Sequence, residues 1–172
     1  VNAGLQTLIV STRRHGMENC GVASGGPADM VSCILANRLV GNKDDAGVLE
    51  MTLLPPELLF HEPCMIACTG SDCNLRLTRN GEVTARPMNR TFAVQTGDRL
   101  SGACLRTGLR AYLAVSGGFL SKTLRPTVLH RGECLPCGRG KRIETMRHIT
   151  TLPRPIPERF FLLRVIEGRH IE

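Results

Sequence analysis

Asn80-Gly81 stands between two short runs, 75–79 (LRLTR) and 82–85 (EVTA). Asn and Gly both tolerate positive φ, which a type I′ turn demands at its two central positions. The twist of that turn matches the twist of the strands beside it. The pair therefore predicts an antiparallel hairpin, the strongest local signal in the chain. Similar punctuation recurs on either side. Residues 48–53 alternate, with Leu49, Met51 and Leu53 on one face and Glu50 and Thr52 on the other, until Pro55-Pro56 ends the run. Segments 57–61 and 65–69 are short apolar runs bounded by Pro or Gly, the pattern of buried strands. Segments 90–95, 100–104 and 109–115 follow as strands, with turns at Gly97-Asp98 and Thr107-Gly108.

One stretch departs from this pattern. In GGPADMVSCILANRLVGN, Pro27 suits a first helical turn, where its missing N–H is not needed. Asp29 lies where the helix dipole favours negative charge, and Gly41-Asn42 is a stop signal. A helix is predicted over residues 28–40, with Val31, Ile34, Leu35 and Leu39 as its apolar face. A chain of 172 residues suits one domain and hides about 70% of its unfolded surface. Mostly short strands with one or two short helices predict a mainly β fold, a barrel or a sandwich. Residues 1–151 form the expected β domain. From Leu152 the chain changes character. Pro153, Pro155 and Pro157 forbid a helix, so 152–172 reads as a Pro-rich connector, and 159–166 (RFFLLRVI) as one further strand.

Several function classes find little support. The chain carries a net charge of +7, but its cations are scattered and its aromatic content is only 3%, so base-stacking platforms are lacking. No nucleic-acid partner is expected. No window of about 18 apolar residues occurs, so no membrane-spanning helix is expected. The first ten residues lack the basic start of a signal peptide, and the expected location is the cytoplasm. Walker A, G-x-G-x-x-G and G-x-S-x-G signatures are absent. The eight cysteines include Cys134-Leu135-Pro136-Cys137. Gly138-Arg139-Gly140 follows that pair instead of a helix start, so it reads as structural, and the five histidines share no ligand spacing. No metal site is assigned.

Glycine corners remain at Gly25-Gly26, Thr69-Gly70 and Gly117-Gly118. Each follows apolar or strand-like residues and either marks a tight corner or lets backbone N–H groups approach a ligand. Taken in order, these fragments resemble one family. They are Gly4-Leu5-Gln6-Thr7, Arg14-His15-Gly16, Gly21-Val22 with Gly25 to Asp29, Leu35 to Asn42, Leu49 to Leu53, Thr69 to Asp72, Gly97-Asp98 and Arg110 to Gly118. Leu135-Pro136, Arg164-Val165-Ile166 and Gly168 extend the series. The family is the biotin-dependent carboxyltransferases, also called allophanate hydrolase subunit 2 or KipA-like proteins, which include the C-subunit of bacterial 5-oxoprolinase.

The resemblance implies a cyclophilin-like β-barrel, and it makes this chain the N-terminal half of a protein about twice as long, with 152–172 starting the second half. It implies a KipI-like partner and a small amide or lactam substrate. The implied role is a subunit or domain of an amide- or lactam-processing complex: part of an ATP-dependent 5-oxoproline hydrolase, or a biotin-dependent carboxyltransferase of urea carboxylase. No cofactor is expected to be bound by this chain itself; carboxybiotin or ATP would act through the complex. By position, Asp29 and Arg14 are the implied catalytic residues. Gly25, Gly26, Gly70, Arg110, Gly117 and Gly118 are the implied substrate-binding residues, converging at one mouth. Val10 and Ser11 stand where the family has Gln and Asp. Val cannot hydrogen-bond through its side chain and Ser carries no charge, so a catalytically degenerate regulatory or scaffold subunit is the alternative.

Overall fold

A computed structural model describes residues 2–12, 25–121, 126–140 and 145–150. In chain order the elements begin with β1 (Gln6–Val10), α1 (Met30–Leu39), β2 (Val48–Thr52), β3 (Leu58–Leu59), β4 (Cys64–Gly70) and β5 (Arg76–Arg79). They continue with β6 (Glu82–Ala85), β7 (Thr91–Val94), β8 (Arg99–Ser101), β9 (Arg110–Val115) and β10 (Thr127–Val128). The predicted hairpin is β5–β6, with φ of 50° at Asn80 and 83° at Gly81. The strand expected at 57–61 is reduced to the two residues of β3, and β1 and β10 had no forecast. Proposed features at 13–24 and 152–172 lie outside the described residues.

The strands form two antiparallel sheets. One has the order β10-β1-β2-β9-β4-β7, the other β3-β8-β5-β6. Among the described residues no strand belongs to both, so neither ladder closes on itself. The mainly β fold, with a single short helix among the described residues, matches the expectation, while the expected barrel takes the form of two facing sheets. Their inner faces share one core, including Leu49, Met51, Ile66 and Leu113 from the first sheet and Leu77 and Leu100 from the second. Burying each such Leu contributes about 1.5–3 kcal/mol.

On its other face the six-stranded sheet carries α1. A second cluster joins Cys33, Ala36, Leu39 and Val40 to Val10, Val48, Ala67, Tyr112 and Ala114. This corrects the helix face. Val31 is 62% exposed, and Ile34 and Leu35 are only half-buried. The small residues Ser32, Cys33 and Ala36 are buried toward the sheet, while the buried Asn37 amide donates to the Ala46 carbonyl at 2.9 Å. A helix laid flat on a pleated sheet needs small side chains at the contact, and packing outweighs the local apolar pattern. Because α1 covers that face, β2 is buried on both sides from Val48 to Met51, Glu50 included. The outer edge of β7 is covered by residues 147–149. Thr91 N–H donates to the Arg147 carbonyl (2.9 Å) and Ile149 N–H to the Asn89 carbonyl (3.0 Å), which hides an otherwise open edge. Among the described residues no helix is long and apolar enough to cross a membrane.

Candidate functional site

The glycine bend enters α1 through Pro27, Ala28 and Asp29. Gly25 (φ 54°) and Gly26 (φ 105°) both take the left-handed region that their lack of Cβ permits. Asp29 is the N-cap. Its carboxylate accepts from Ser32 N–H at 3.0 Å and from the Ser32 hydroxyl at 2.5 Å. The aspartate expected inside the first turn thus sits one position before it, exposed at the mouth of the bend.

Beneath the bend, one row of side chains crosses the sheet. The register sets Leu8 opposite Glu50, Glu50 opposite Tyr112, and Tyr112 opposite Thr69. Directly opposed residues share a face, so the row lies under α1. Glu50 Oε2 accepts from the Tyr112 hydroxyl (2.8 Å) and from Ala28 N–H (2.7 Å). The Tyr112 oxygen accepts from Asp29 N–H (2.7 Å). The Thr69 hydroxyl donates to the Ser32 carbonyl (2.7 Å). Burial pushes the Tyr112 phenol well above its ordinary pKa, and the Glu50 carboxylate beside it adds to the rise. The phenol is therefore a neutral donor. Arg110, two residues before Tyr112 on the same face, brings its Nε to 3.4 Å from Glu50 Oε1, and about one third of its side chain is exposed. That Nε makes no aligned hydrogen bond, so the contact is an ion pair by proximity.

The predicted site residues divide into two groups. The Asp29 amide and Arg110 both reach the Glu50–Tyr112 pair near one end of β9, where Gly70 also lies, paired with Ala111, and Gly25 and Gly26 precede Asp29 in the bend. A Cβ at Gly70 would come within 2.8 Å of the Arg110 carbonyl, so glycine is needed for that close approach. Gly117 and Gly118 lie beyond the other end of β9, about 20 Å from Gly70 at the usual rise per residue. There the close neighbours belong to the chain itself. Gly117 N–H donates to Asn42 Oδ1 (2.8 Å), Gly138 N–H donates to the Gly118 carbonyl (2.9 Å), and a Cβ on Gly117 would collide with the Gly138 carbonyl. Arg14 lies outside the described residues.

Glu50 and Tyr112 are the residues that sequence reasoning left out. The available signals were an acid between Leu49 and Met51 in an otherwise apolar strand, and the sole tyrosine of the chain inside another. Elsewhere, Cys134 and Cys137 are exposed free thiols, and the Cys137 backbone makes an isolated antiparallel bridge with Phe119. Burial pushes the Cys33 and Cys64 thiols up to about 12. Among the described residues no three His, Cys, Asp or Glu side chains are placed to hold a metal ion. A groove of about 450 Å³ lies between α1 and residues 147–149, lined by Leu35, Arg38, Leu39, Arg147, His148 and Ile149. None of the predicted site residues lines it.

Residues 20–172 match the family described as carboxyltransferase domain, subdomain A and B. The chain is 32% identical over 157 residues to the 5-oxoprolinase C-subunit of Escherichia coli (strain K12), taking in 83% of this chain and 49% of that protein. It is 39% identical over 109 residues to urea amidolyase of Lachancea kluyveri, 61% of this chain and 6% of that protein. Among solved structures, TTHA0988 superposes with a TM-score of 0.78 at 28% identity, over 90% of this chain and 61% of that one. The K. lactis urea amidolyase superposes at 0.62 with 38% identity, over 67% of this chain and 7% of that one. The chain therefore spans about half the length of the bacterial protein. With the matched family covering residues 20–172, this chain belongs to the carboxyltransferase domain, subdomain A and B, family.

Proposed function

We propose that the chain is the carboxyltransferase-type component of an amide- or lactam-processing complex and works with a KipI-like subunit. Its candidate substrates are 5-oxoproline and urea, suggested by the names of its relatives, and allophanate, implied by the family resemblance. The observation that carries the reading is the assembly of Asp29, Gly70 and Arg110 at one end of β9, around the buried Glu50–Tyr112 pair. Attack on, or carboxylation of, an amide builds negative charge on oxygen, and preorganised donors stabilise it. The partly exposed Arg110 guanidinium supplies such a donor. Asp29 accepts an amide N–H of the substrate, since each of its oxygens keeps a second lone pair beyond the capping bonds. Carboxybiotin or ATP, where the complex uses it, is a co-substrate delivered by another component. A carboxylated group suits the Arg110 end by charge.

A second reading, a regulatory or scaffold subunit of such a complex, is favoured by Val10. This residue is 4% exposed and packed against α1, where it offers no hydrogen bond. Reconstitution with a KipI-like protein separates the two. The first reading expects ATP-dependent 5-oxoproline hydrolysis, or carboxyl transfer to urea, that Asp29→Ala abolishes. Unchanged turnover in that variant removes Asp29 from the chemistry. The scaffold reading expects no turnover until Val10→Gln and Ser11→Asp are introduced together.

A further inference from the structure

Glu50 is where the parts of the candidate site meet. It is 5% exposed. Oε2 takes the Ala28 amide directly and reaches the Asp29 amide through the Tyr112 hydroxyl, at 2.7, 2.8 and 2.7 Å along the path. Oε1 faces Arg110 Nε at 3.4 Å. Helix N-termini leave their first amides without intrahelical partners. Here the amides just before α1 are held by the sheet. A carboxylate can serve two neutral donors and a guanidinium at once.

We propose that Glu50 is a positioning residue of the site, with Tyr112 as its relay: one carboxylate fixes the glycine bend and the Arg110 guanidinium in a common register. Ala28 and Asp29 amides are turned inward by this arrangement, so a ligand at the bend meets the Arg110 edge and the Asp29 carboxylate. The kinetic part of the test below rests on the function proposed above. The exchange part does not.

Amide hydrogen exchange, followed by NMR on the intact chain, reads the clamp without any substrate. Tyr112→Phe should raise exchange at Asp29 about tenfold or more, the loss of one charge-linked hydrogen bond, while Leu113 and Ile66 keep their protection. Glu50→Gln, nearly the same shape, keeps an acceptor oxygen but removes its charge, and should raise exchange at Ala28 by about three- to fivefold. It is chosen over Glu50→Ala, which would leave a cavity and buried donors without an acceptor beneath the bend. Unchanged exchange at Ala28 and Asp29 in both variants overturns the proposal. In the reconstituted complex, Glu50→Gln should raise KM about tenfold with kcat within about threefold, and Arg110→Gln combined with it should be no worse than Arg110→Gln alone. Fully additive effects would overturn the shared hold on Arg110. Exchange changes as expected in a complex that turns over neither substrate would remove the proposed function and leave the positioning role standing.

Discussion

Asp98 is 1% exposed, and its carboxylate is gripped on both oxygens by Arg79, at 2.9 and 2.6 Å, with Gln95 N–H adding a third bond at 2.8 Å. The Arg79 hydrogen bonds, assisted by that amide, hold its pKa below the ordinary aspartate value. A carboxylate with a depressed folded pKa stabilises the fold at pH values above its unfolded pKa, about 3.9. The contribution disappears as pH falls through the folded value. Asp98→Asn should therefore lower the urea midpoint at pH 7, and its deficit against wild type should shrink below about pH 3.9. A deficit that stays constant as the pH falls through the acid range would contradict this origin. Gly97-Asp98 was legible as a turn, because turn chemistry is local. The partner 19 residues away was not. Asp29 and Glu50 divide the same way. The cap is visible beside its helix, whereas the buried acid is 62 residues from its tyrosine.

The helix was legible in extent and illegible in orientation. Its start and stop depend on caps within one turn, and the forecast of 28–40 brackets Met30–Leu39. Which side faces inward depends on how close the sheet lies. Ala36, with no exposed surface, touches that sheet. Ala36→Leu should destabilise by about 1–3 kcal/mol through overpacking. Val31→Lys on the exposed side should change stability by less than about 0.5 kcal/mol. Guanidinium unfolding of both variants checks the assignment, and a reversed order would return the apolar stripe to the core. The β5–β6 hairpin needed no such correction, because Asn80-Gly81 specifies turn and register together. β2 was read correctly as a strand, but its second buried face comes from α1, which no period-two pattern records.

Glycines of similar appearance do different work across the molecule. An added Cβ at Gly81 meets nothing within 4 Å, so Gly81→Ala should cost about 1 kcal/mol, from positive φ alone. At Gly117 the same methyl meets the Gly138 carbonyl, with φ at 94°. Gly117→Ala should cost about 3 kcal/mol or more, as overpacking adds to backbone strain. Thermal melts of the two variants compare them directly, and equal shifts would mean that the 138–140 segment yields freely. The expectation that all the glycine corners share one mouth fails here. Gly70 and Gly117 flank opposite ends of β9, so only the Asp29–Gly70–Arg110 end gathers the proposed chemistry. Hairpin, helix span, most of the strands between residues 48 and 115 and the family resemblance were readable from the chain, because turns, caps and periodicity act over a few neighbouring residues. Strand order, the face that α1 buries, and the joining of Glu50 to Tyr112 and Arg110 came only with the folded structure. They depend on which distant strands become neighbours, and that choice is made by the packing of the whole core.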